Sequence, residues 1–265
     1  MPPTQHSQAK SYRGTMTDLV TVSDDGAVRN IRMNRPDKKN ALTAAMYDAL
    51  AAAIEGADSS NALRCVLISG VPGAFSAGND LQEFLQAAKT GDGLGSPVLR
   101  FLYSLARAKR PLVAAVQGVA VGVGTTMLLH CDHVVAGSDA HFSTPFVGLG
   151  LVPEAASSLL APRLMGQRRA FSLLVMGRPL DAGAAQACGL VNTVVPPADV
   201  DAEATRAARE IASLPTEAVA ASRRLMRGAP DEIVARIDEE VQLFKERLRS
   251  PEAHAAFDAF LSRKR

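Results

Sequence analysis

The sequence has no tryptophan, and aromatic residues make up only 5% of its 265 residues. A hydrophobic core in such a chain has to be built from Leu, Val, Ile and Ala. The overall composition, 47% hydrophobic and 21% charged, is typical of a soluble globular protein with one large domain, or with one domain and an appendage.

Cysteine is scarce as well. Cys65, Cys131 and Cys188 are odd in number, lie far apart and have apolar neighbours. We therefore expect buried free thiols in a reducing compartment, the cytoplasm, and neither disulfides nor a metal site.

The chain also lacks a long basic block and any apolar run of the roughly 20 residues that a membrane-spanning helix needs. Its 29 basic and 27 acidic residues leave a net charge of +2, so we expect neither nucleic acid nor a membrane as a partner. Residues 1–17 are polar and have no apolar stretch of the kind found in signal peptides. We expect a disordered tail there.

The pattern of apolar residues divides the rest of the chain into two parts. Over residues 18–196, short apolar runs typical of strands alternate with amphipathic stretches typical of helices, which predicts an α/β fold. Over residues 197–265 the pattern is that of amphipathic helices, interrupted near Pro215, Pro230 and Pro251.

One connection, Phe-Ser-Ala-Gly-Asn-Asp-Leu at residues 75–81, follows a buried strand predicted at residues 65–69. It leads into Asp80-Leu-Gln-Glu83, a pattern that can form a helix capping box. Free backbone N–H groups at such a turn can hold an anion, or an oxygen that becomes one during a reaction. The alternative is an ordinary strand–turn–helix connection.

A second connection of this kind lies at residues 111–131, where a strand leads through a Gly-rich turn at residues 117–124 into an apolar helix predicted to run to Cys131. Its glycines do not form a dinucleotide-binding fingerprint, because the third glycine and the later acidic residue are absent. If the two turns face each other, two backbone N–H groups can bind one oxygen. The alternative is that the glycines serve backbone geometry alone.

Side chains usual in catalysis are scarce near these turns. The sequence has no Gly-x-Ser-x-Gly elbow, and its histidines and cysteines lack the spacing of metal ligands. Glu154 differs, because its apolar neighbours can raise its pKa toward neutrality, as suits a general base. Alternatively, Glu154 is a first-turn acid that favours the dipole of a helix predicted to open at Pro153 and to run to Met165.

Taken together, four segments resemble the crotonase family, the enoyl-CoA hydratase/isomerase superfamily, over residues 19–260. They are Asn34-Arg-Pro with Asn40-Ala-Leu, the stretch at residues 75–81, the stretch at residues 111–122, and Gly177-Arg-Pro-Leu with Gly189-Leu-Val-Asn, and they come in the family's order. The resemblance implies a crotonase-like spiral of ββα units, a C-terminal helical trimerisation region, assembly as a homotrimer or hexamer, and acyl-CoA substrates.

By motif, the resemblance implies that the backbone N–H groups of Asn79 and Val123 form an oxyanion hole. Val123 stands where the family's hydratases often have Gly, which is tolerable if the backbone angles suit Val. Lys38 and Lys39 would lie beside the nucleotide end of coenzyme A, and Ala77 near its adenine. The other substrate-binding positions implied are Ala41, Gly78, Asp80, Leu81, Gly122, Phe146 and Leu149. Coenzyme A is then part of the substrate, and we expect no metal and no other cofactor.

The chain departs from the family's hydratases, which carry two glutamates around one water. Thr126 stands at the position of one glutamate and Phe146 at that of the other. The settings of Glu154 and Asn79 look like those of the peroxisomal-type Δ3,Δ2-enoyl-CoA isomerases, which use one glutamate. We therefore expect an enoyl-CoA isomerase with Glu154 as its base. The alternatives are a hydratase or another crotonase reaction, a non-catalytic acyl-CoA-binding protein, and an oligomeric scaffold.

Overall fold

The computed structural model describes residues 18–80, 82–83 and 94–262. The tail predicted over residues 1–17 lies outside the described residues, as does Leu81. The strands are β1 (Val20–Asp25), β2 (Val28–Met33), β3 (Cys65–Ser69), β4 (Ala74–Ser76), β5 (Leu112–Val116), β6 (Val119–Val121), β7 (His133–Gly137), β8 (His141–Ser143), β9 (Leu180–Asp181) and β10 (Thr193–Val195).

These strands form two sheets. The larger has the order β1-β2-β3-β5-β7-β10, in which β1 and β2 form an antiparallel hairpin and the other neighbours run parallel. The smaller has the order β4-β6-β8-β9. Each of β3, β5 and β7 in the larger sheet is followed along the chain by a strand of the smaller sheet. These stacked two-strand units confirm the predicted spiral within an α/β fold.

The corner between β5 and β6 shows why the chain needs glycine there. Gly118 has a φ of 61°, and a Cβ atom on it would lie 1.9 Å from the carbonyl oxygen of Gly73. A residue with a side chain therefore does not fit without moving the backbone. At this position the glycine serves backbone geometry, which allows the chain to pass from one sheet to the other.

The helices follow the sequence pattern in most places. Thr43 caps the first helix, because its Oγ1 accepts a hydrogen bond from the Met46 N–H at 3.3 Å. The C-terminal helices begin and end at the predicted prolines. The helices are α1 (Ala44–Asp58), α2 (Ser96–Arg107), α3 (Val123–Thr126), α4 (Ser157–Met165), α5 (Gln167–Leu174), α6 (Ala182–Ala187), α7 (Val200–Ser213), α8 (Thr216–Arg227), α9 (Pro230–Leu248) and α10 (Pro251–Ser262).

Two predicted helices differ from the structure. The apolar helix expected to run to Cys131 is a single α-helical turn, α3, continued by a 3-10 turn at Met127–His130. Strand β6 takes up part of the Gly-rich stretch before it, because Val119–Val121 pairs with β4 and β8. The helix expected from Pro153 begins only at Ser157, because the two residues before it have positive φ angles and cannot continue a right-handed helix.

The inner strands β3, β5 and β7 of the larger sheet are buried on both faces, which explains why they are nearly continuous apolar runs. Val66 and Ile68 of β3 point into the main core with α1 and α2, whereas Cys65 and Leu67 point to the other face. There the alanines of α7 pack closely against the strands. Within the described part of the chain, no helix combines the length and the apolar character that crossing a membrane requires.

Candidate active site

Glu154 lies in the turn between a 3-10 helix at Val147–Leu149 and α4, and it is only 2% exposed. Its Oε1 accepts a hydrogen bond from Thr126 Oγ1 at 2.5 Å. Its Oε2 is buried and has no hydrogen-bond partner among the described residues. Buried carboxylate oxygens are normally paired, so Oε2 is available to take a proton from a bound molecule.

Burial raises the pKa of Glu154 to about 8, because a buried carboxylate loses its hydration. The hydrogen bond from Thr126 lowers this pKa, and the negative charge of Glu240 raises it. Both protonation states are then populated near neutral pH, as suits a group that takes a proton and returns it. The expected shift toward neutrality is confirmed. The reading of Glu154 as a first-turn acid is wrong, because α4 begins three residues later.

The first predicted turn follows β4 and pairs with the segment before α1. The Leu42 N–H donates to the Gly78 carbonyl at 2.7 Å, and the Asp80 N–H donates to the Leu42 carbonyl at 2.8 Å. These two hydrogen bonds involve Gly78 and Asp80 but not Asn79, the residue between them. In the described part of the chain, the Asn79 N–H has no acceptor, so it is available to a ligand.

Within the second predicted turn, residues 117–124, the structure places the helix start directly after Gly122. The φ angle of Gly122 is 55°, a positive value that glycine adopts readily. Val123 is the first residue of α3 and has helical geometry, so its side chain is compatible with the turn. The carbonyl of Gly122 accepts from the Thr125 and Thr126 N–H groups, at 2.9 and 3.0 Å. Among the described residues, none accepts from the Val123 N–H, because the first N–H of a helix has no partner inside it.

The structure brings these two turns into contact. A Cβ atom on Gly78 would lie 2.8 Å from the Val121 carbonyl oxygen, and one on Gly124 would lie 2.8 Å from the Ser76 carbonyl oxygen. Glycine is therefore required for the close approach. The ring of Phe146 lies next to the second turn, 3.9 Å from where a Cβ on Gly122 would be. Since Thr126 of α3 reaches Glu154, both turns, Phe146 and the buried carboxylate belong to one site.

Tyr47 of α1 is a part of this site that sequence reasoning missed. Its hydroxyl donates to the side-chain oxygen of Asn79 at 2.5 Å. Burial raises the pKa of Tyr47 well above its usual value, and the negative charge of Glu154 raises it further. Tyr47 thus links the first turn to the carboxylate. The sequence does not indicate this link, because Tyr47 lies on the apolar face of a helix and the pattern predicts a core residue there.

The residues expected to contact coenzyme A lie along the first turn. Lys38 and Lys39 are exposed in the loop before α1, where the Lys39 carbonyl accepts from the Ala77 N–H at 2.8 Å. The carbonyl of Ala41 accepts from Arg35, and Arg35 also donates to Asp80 at 2.7 Å.

Asp80 and Leu149 were also predicted to contact the substrate, and their surroundings in the structure differ. Partial burial raises the pKa of Asp80, but hydrogen bonds from Arg35 and from the Glu83 and Gln82 N–H groups lower it below its usual value. The Asp80 carboxylate therefore serves the fold. Leu149 is half-buried at the end of the Val147–Leu149 turn, next to Gly150, which packs against Ala253 of α10. Binding by these residues stays a prediction.

Cysteines and possible metal ligands are the other groups to consider among the residues that the structure describes. The three cysteines are free, with Cys65 and Cys188 buried and Cys131 half-buried. The described residues contain no group of His, Cys, Asp and Glu side chains that could hold a metal ion. The reactive features of the described chain are therefore the two turns and Glu154.

A stacked spiral of two-strand units whose turns meet at a buried carboxylate defines a protein of the crotonase class. The sequence profile of the family described as "Enoyl-CoA hydratase/isomerase" matches residues 23–265. The chain belongs to this family.

Three similar proteins show how its members are named. A Rattus norvegicus protein named "Enoyl-CoA delta isomerase 2" is 35% identical, over 92% of this chain and 64% of its own length. A "Probable enoyl-CoA hydratase" of Rhizobium meliloti (strain 1021) is also 35% identical, over 74% of this chain and 76% of its own. The solved structure of Pseudomonas aeruginosa OdaA matches with a TM-score of 0.87 and 42% identity, covering 92% of this chain and 99% of that one. The chain thus spans less than two-thirds of the rat protein's length, and both activities occur among the names.

Proposed function

We propose that this protein is an enoyl-CoA isomerase that moves a double bond from position 3 to position 2 of an acyl-CoA thioester. The observation that carries the proposal is the buried carboxylate of Glu154, which has a raised pKa and one oxygen with no hydrogen-bond partner among the described residues. The resemblance to the family implies that Thr126 and Phe146 occupy the positions at which its hydratases have their two glutamates. One carboxylate suffices for isomerisation, because no water is added.

In the proposed reaction, the thioester oxygen accepts hydrogen bonds from the Asn79 and Val123 N–H groups. The C2–H bond breaks as Glu154 Oε2 takes the proton, and the electron pair spreads over the thioester as a dienolate. The two N–H groups stabilise the negative charge on the oxygen. Glu154 then returns the proton to C4, which leaves the double bond between C2 and C3. Coenzyme A is part of the substrate, and the proposal includes no metal and no other cofactor.

The Thr126 hydroxyl has a defined role in this proposal. It donates to Glu154 Oε1 and so fixes the carboxylate with Oε2 free. The hydroxyl also favours the ionised form, since it lowers the pKa that burial raises. A threonine at this position therefore supports one-base chemistry at Glu154, whereas a second glutamate there would hold a water.

Three other functions fit the family or the fold and differ in what they require. A hydratase, the name of the Rhizobium meliloti relative, or another crotonase reaction needs further acid–base groups. A non-catalytic acyl-CoA-binding protein would keep the two turns but would not need Glu154. An oligomeric scaffold would need neither the two turns nor Glu154. A binding measurement with an acyl-CoA therefore separates a scaffold from the other functions.

Isomerisation and hydration measured on one preparation test the proposal. The protein should convert a 3-enoyl-CoA to the conjugated 2-enoyl-CoA at a turnover in the usual range of roughly 1–1000 per second. Hydration of crotonyl-CoA should be slower by at least about 100-fold, because each missing acid–base group contributes roughly 100–10,000-fold. Comparable rates would instead favour the hydratase.

We also propose assembly into a homotrimer or hexamer through the C-terminal helices. Every residue of α8 is at least partly exposed, and its Leu225 and Met226 are 83% and 86% exposed. We infer that a partner chain covers these two neighbouring apolar side chains. Sedimentation at micromolar concentration should give the mass of three or six chains, and a monomer would contradict the proposal. The cytoplasmic compartment stays a prediction.

A further inference from the structure

The turn that carries Glu154 has an unusual backbone. Ala155 and Ala156 both have left-handed angles, with φ of 60° and 54°. Residues with a side chain rarely take up this conformation even singly, and two in a row persist only where surrounding contacts hold them. The direction of the Glu154 side chain depends on this turn, so the contacts that hold the turn also place the carboxylate.

Glu240 of α9 holds the turn from one side. Its Oε2 accepts from the Ala156 N–H at 2.6 Å, and its Oε1 accepts from the Ser158 N–H at 3.0 Å. The residue is only 4% exposed. Both carboxylate oxygens are therefore used on backbone N–H groups at the start of α4.

His130 holds the turn from the other side. Its Nε2 lies 2.8 Å from the Ala155 carbonyl oxygen, and the ring is fully buried. A carbonyl can only accept, so Nε2 carries the hydrogen. Burial lowers the pKa of His130 to about 4, although the bond to Ala155 raises it, so the ring is neutral at physiological pH. Glu240 and His130 thus form hydrogen bonds with adjacent residues of the turn, although they belong to different elements of the fold.

From this geometry we propose that Glu240 and His130 are positioning residues, which hold the Glu154 carboxylate in the site by clamping the Ala155–Ala156 turn. The proposal rests on Glu154 being the base of the proposed isomerase. Neither residue is a catalytic residue in this account, because each contacts the backbone of the turn and acts through Glu154.

Glu240 also acts on Glu154 through its charge. Burial raises the pKa of Glu240 to about 7, while its bonds to Ser158 and Ala156 and the nearby Arg236 lower it. When Glu154 titrates at about pH 8, Glu240 is therefore ionised and makes a second negative charge less favourable. The other ionisable groups that face these residues are Tyr47 beside Glu154, and Asp132, Arg223 and Arg227 around His130.

Glu240→Gln separates this role from general support of the fold. A glutamine has one accepting oxygen, and its amide group opposes the second backbone N–H, so at most one of the two bonds survives. The turnover of isomerisation should fall by about 10–100-fold, as for a base displaced by a fraction of an ångström to 1 Å. The KM should change little. Glu246→Gln, at an exposed position of the same helix, is the matched control and should behave as wild type.

A second readout is the titration of Glu154 itself, followed by NMR of the chain labelled with carboxyl-13C glutamate and assigned by loss of the signal in Glu154→Gln. In Glu240→Gln the titration should move to lower pH, because a like charge is gone. A turnover that stays at the wild-type value would overturn the proposal even if the titration moves, because the loss of a charge alone moves it. If the wild-type protein proves not to be an isomerase, the titration still tests whether Glu240 acts on Glu154, and that result is separate from the failure of the proposed function.

A second variant keeps the proposal testable if Glu240→Gln does not fold. Glycine adopts positive φ without strain, so Ala156→Gly in the Glu240→Gln background should restore folding without restoring the two hydrogen bonds. The folded double variant should show the lower turnover and the shifted Glu154 titration. A double variant with wild-type turnover and titration would overturn the proposal.

Discussion

Glu154→Gln should lower the turnover of 3-enoyl-CoA isomerisation by close to 10,000-fold, the upper end of the roughly 100–10,000-fold that general acid–base groups contribute. Glutamine keeps the size of the side chain and can still accept the hydrogen bond from Thr126, but it cannot take a proton. Because Glu154 is the base for both proton transfers, no other group replaces it in the variant. Substrate binding should change little, since the two backbone N–H groups remain.

The assay follows absorbance as the conjugated thioester forms, and Glu246→Gln, at an exposed position on α9, is the control for loss of a carboxylate. If Glu154→Gln keeps more than about a tenth of wild-type turnover, a loss below the usual acid–base range, Glu154 is not the base. The base would then have to be another group in the pocket, or the function would not be isomerisation.

The same substitution should make the protein more stable at alkaline pH. The pKa of Glu154 is raised from 4.5 to about 8 in the folded chain, so the folded state binds this proton more tightly than the unfolded state. The stabilisation is fully present below about pH 4.5 and is lost as the pH rises toward 8, by roughly 1.4 kcal/mol per pH unit. Glutamine has no such loss, so at pH 8 the gain amounts to at most about 4 kcal/mol.

Urea unfolding of the wild-type protein and Glu154→Gln at pH 5 and pH 8 measures this gain. Comparing the two proteins at each pH cancels the titration of all other groups. The difference in the free energy of unfolding should grow in favour of the variant between the two pH values, whereas for Glu246→Gln it should stay nearly constant. An equal difference at both pH values for Glu154→Gln would show that the folded chain does not raise this pKa.

Together these two results would describe a residue that is kept for chemistry at a cost in stability. A carboxylate buried among apolar side chains with an unpaired oxygen weakens the fold, and natural active sites often contain such residues. The effect is specific to the site, because the Asp80 carboxylate nearby is fully paired with Arg35 and backbone N–H groups.

Local signals in the sequence predicted those elements that local interactions determine. Thr43 caps α1, and Pro230 and Pro251 open α9 and α10, as expected. The helix at Pro153 was predicted wrongly, although proline is a good first residue of a helix. There the contacts of His130 and Glu240 hold the next residues in left-handed geometry, and these partners lie far away in the sequence.

The capping box predicted at Asp80 and Glu83 is only half formed for a similar reason. Asp80 accepts from the Gln82 and Glu83 N–H groups as expected. The Glu83 carboxylate, however, accepts from the Ala44 N–H at 2.7 Å, at the start of α1. A long-range partner has replaced the local one, and the sequence pattern has no information about such a competitor.

The candidate site was predictable where backbone geometry builds it and not where side chains meet from distant elements. The small residues of the two turns predicted free backbone N–H groups, and the resemblance to the family assigned these groups to Asn79 and Val123. The apolar neighbours of Glu154 predicted the shift of its pKa. The hydrogen bonds from Tyr47 to Asn79 and from Thr126 to Glu154 depend on how α1 and α3 pack, so the sequence did not indicate them.

A crystal structure of the protein with a saturated acyl-CoA, which cannot react, would show which groups surround the reacting carbons. We expect the thioester oxygen to lie about 3 Å from the Asn79 and Val123 nitrogens, and Glu154 to be the one carboxylate within reach of both C2 and C4. Another carboxylate at C2 or C4 would contradict this role of Glu154. So would a water held between two carboxylates at these carbons.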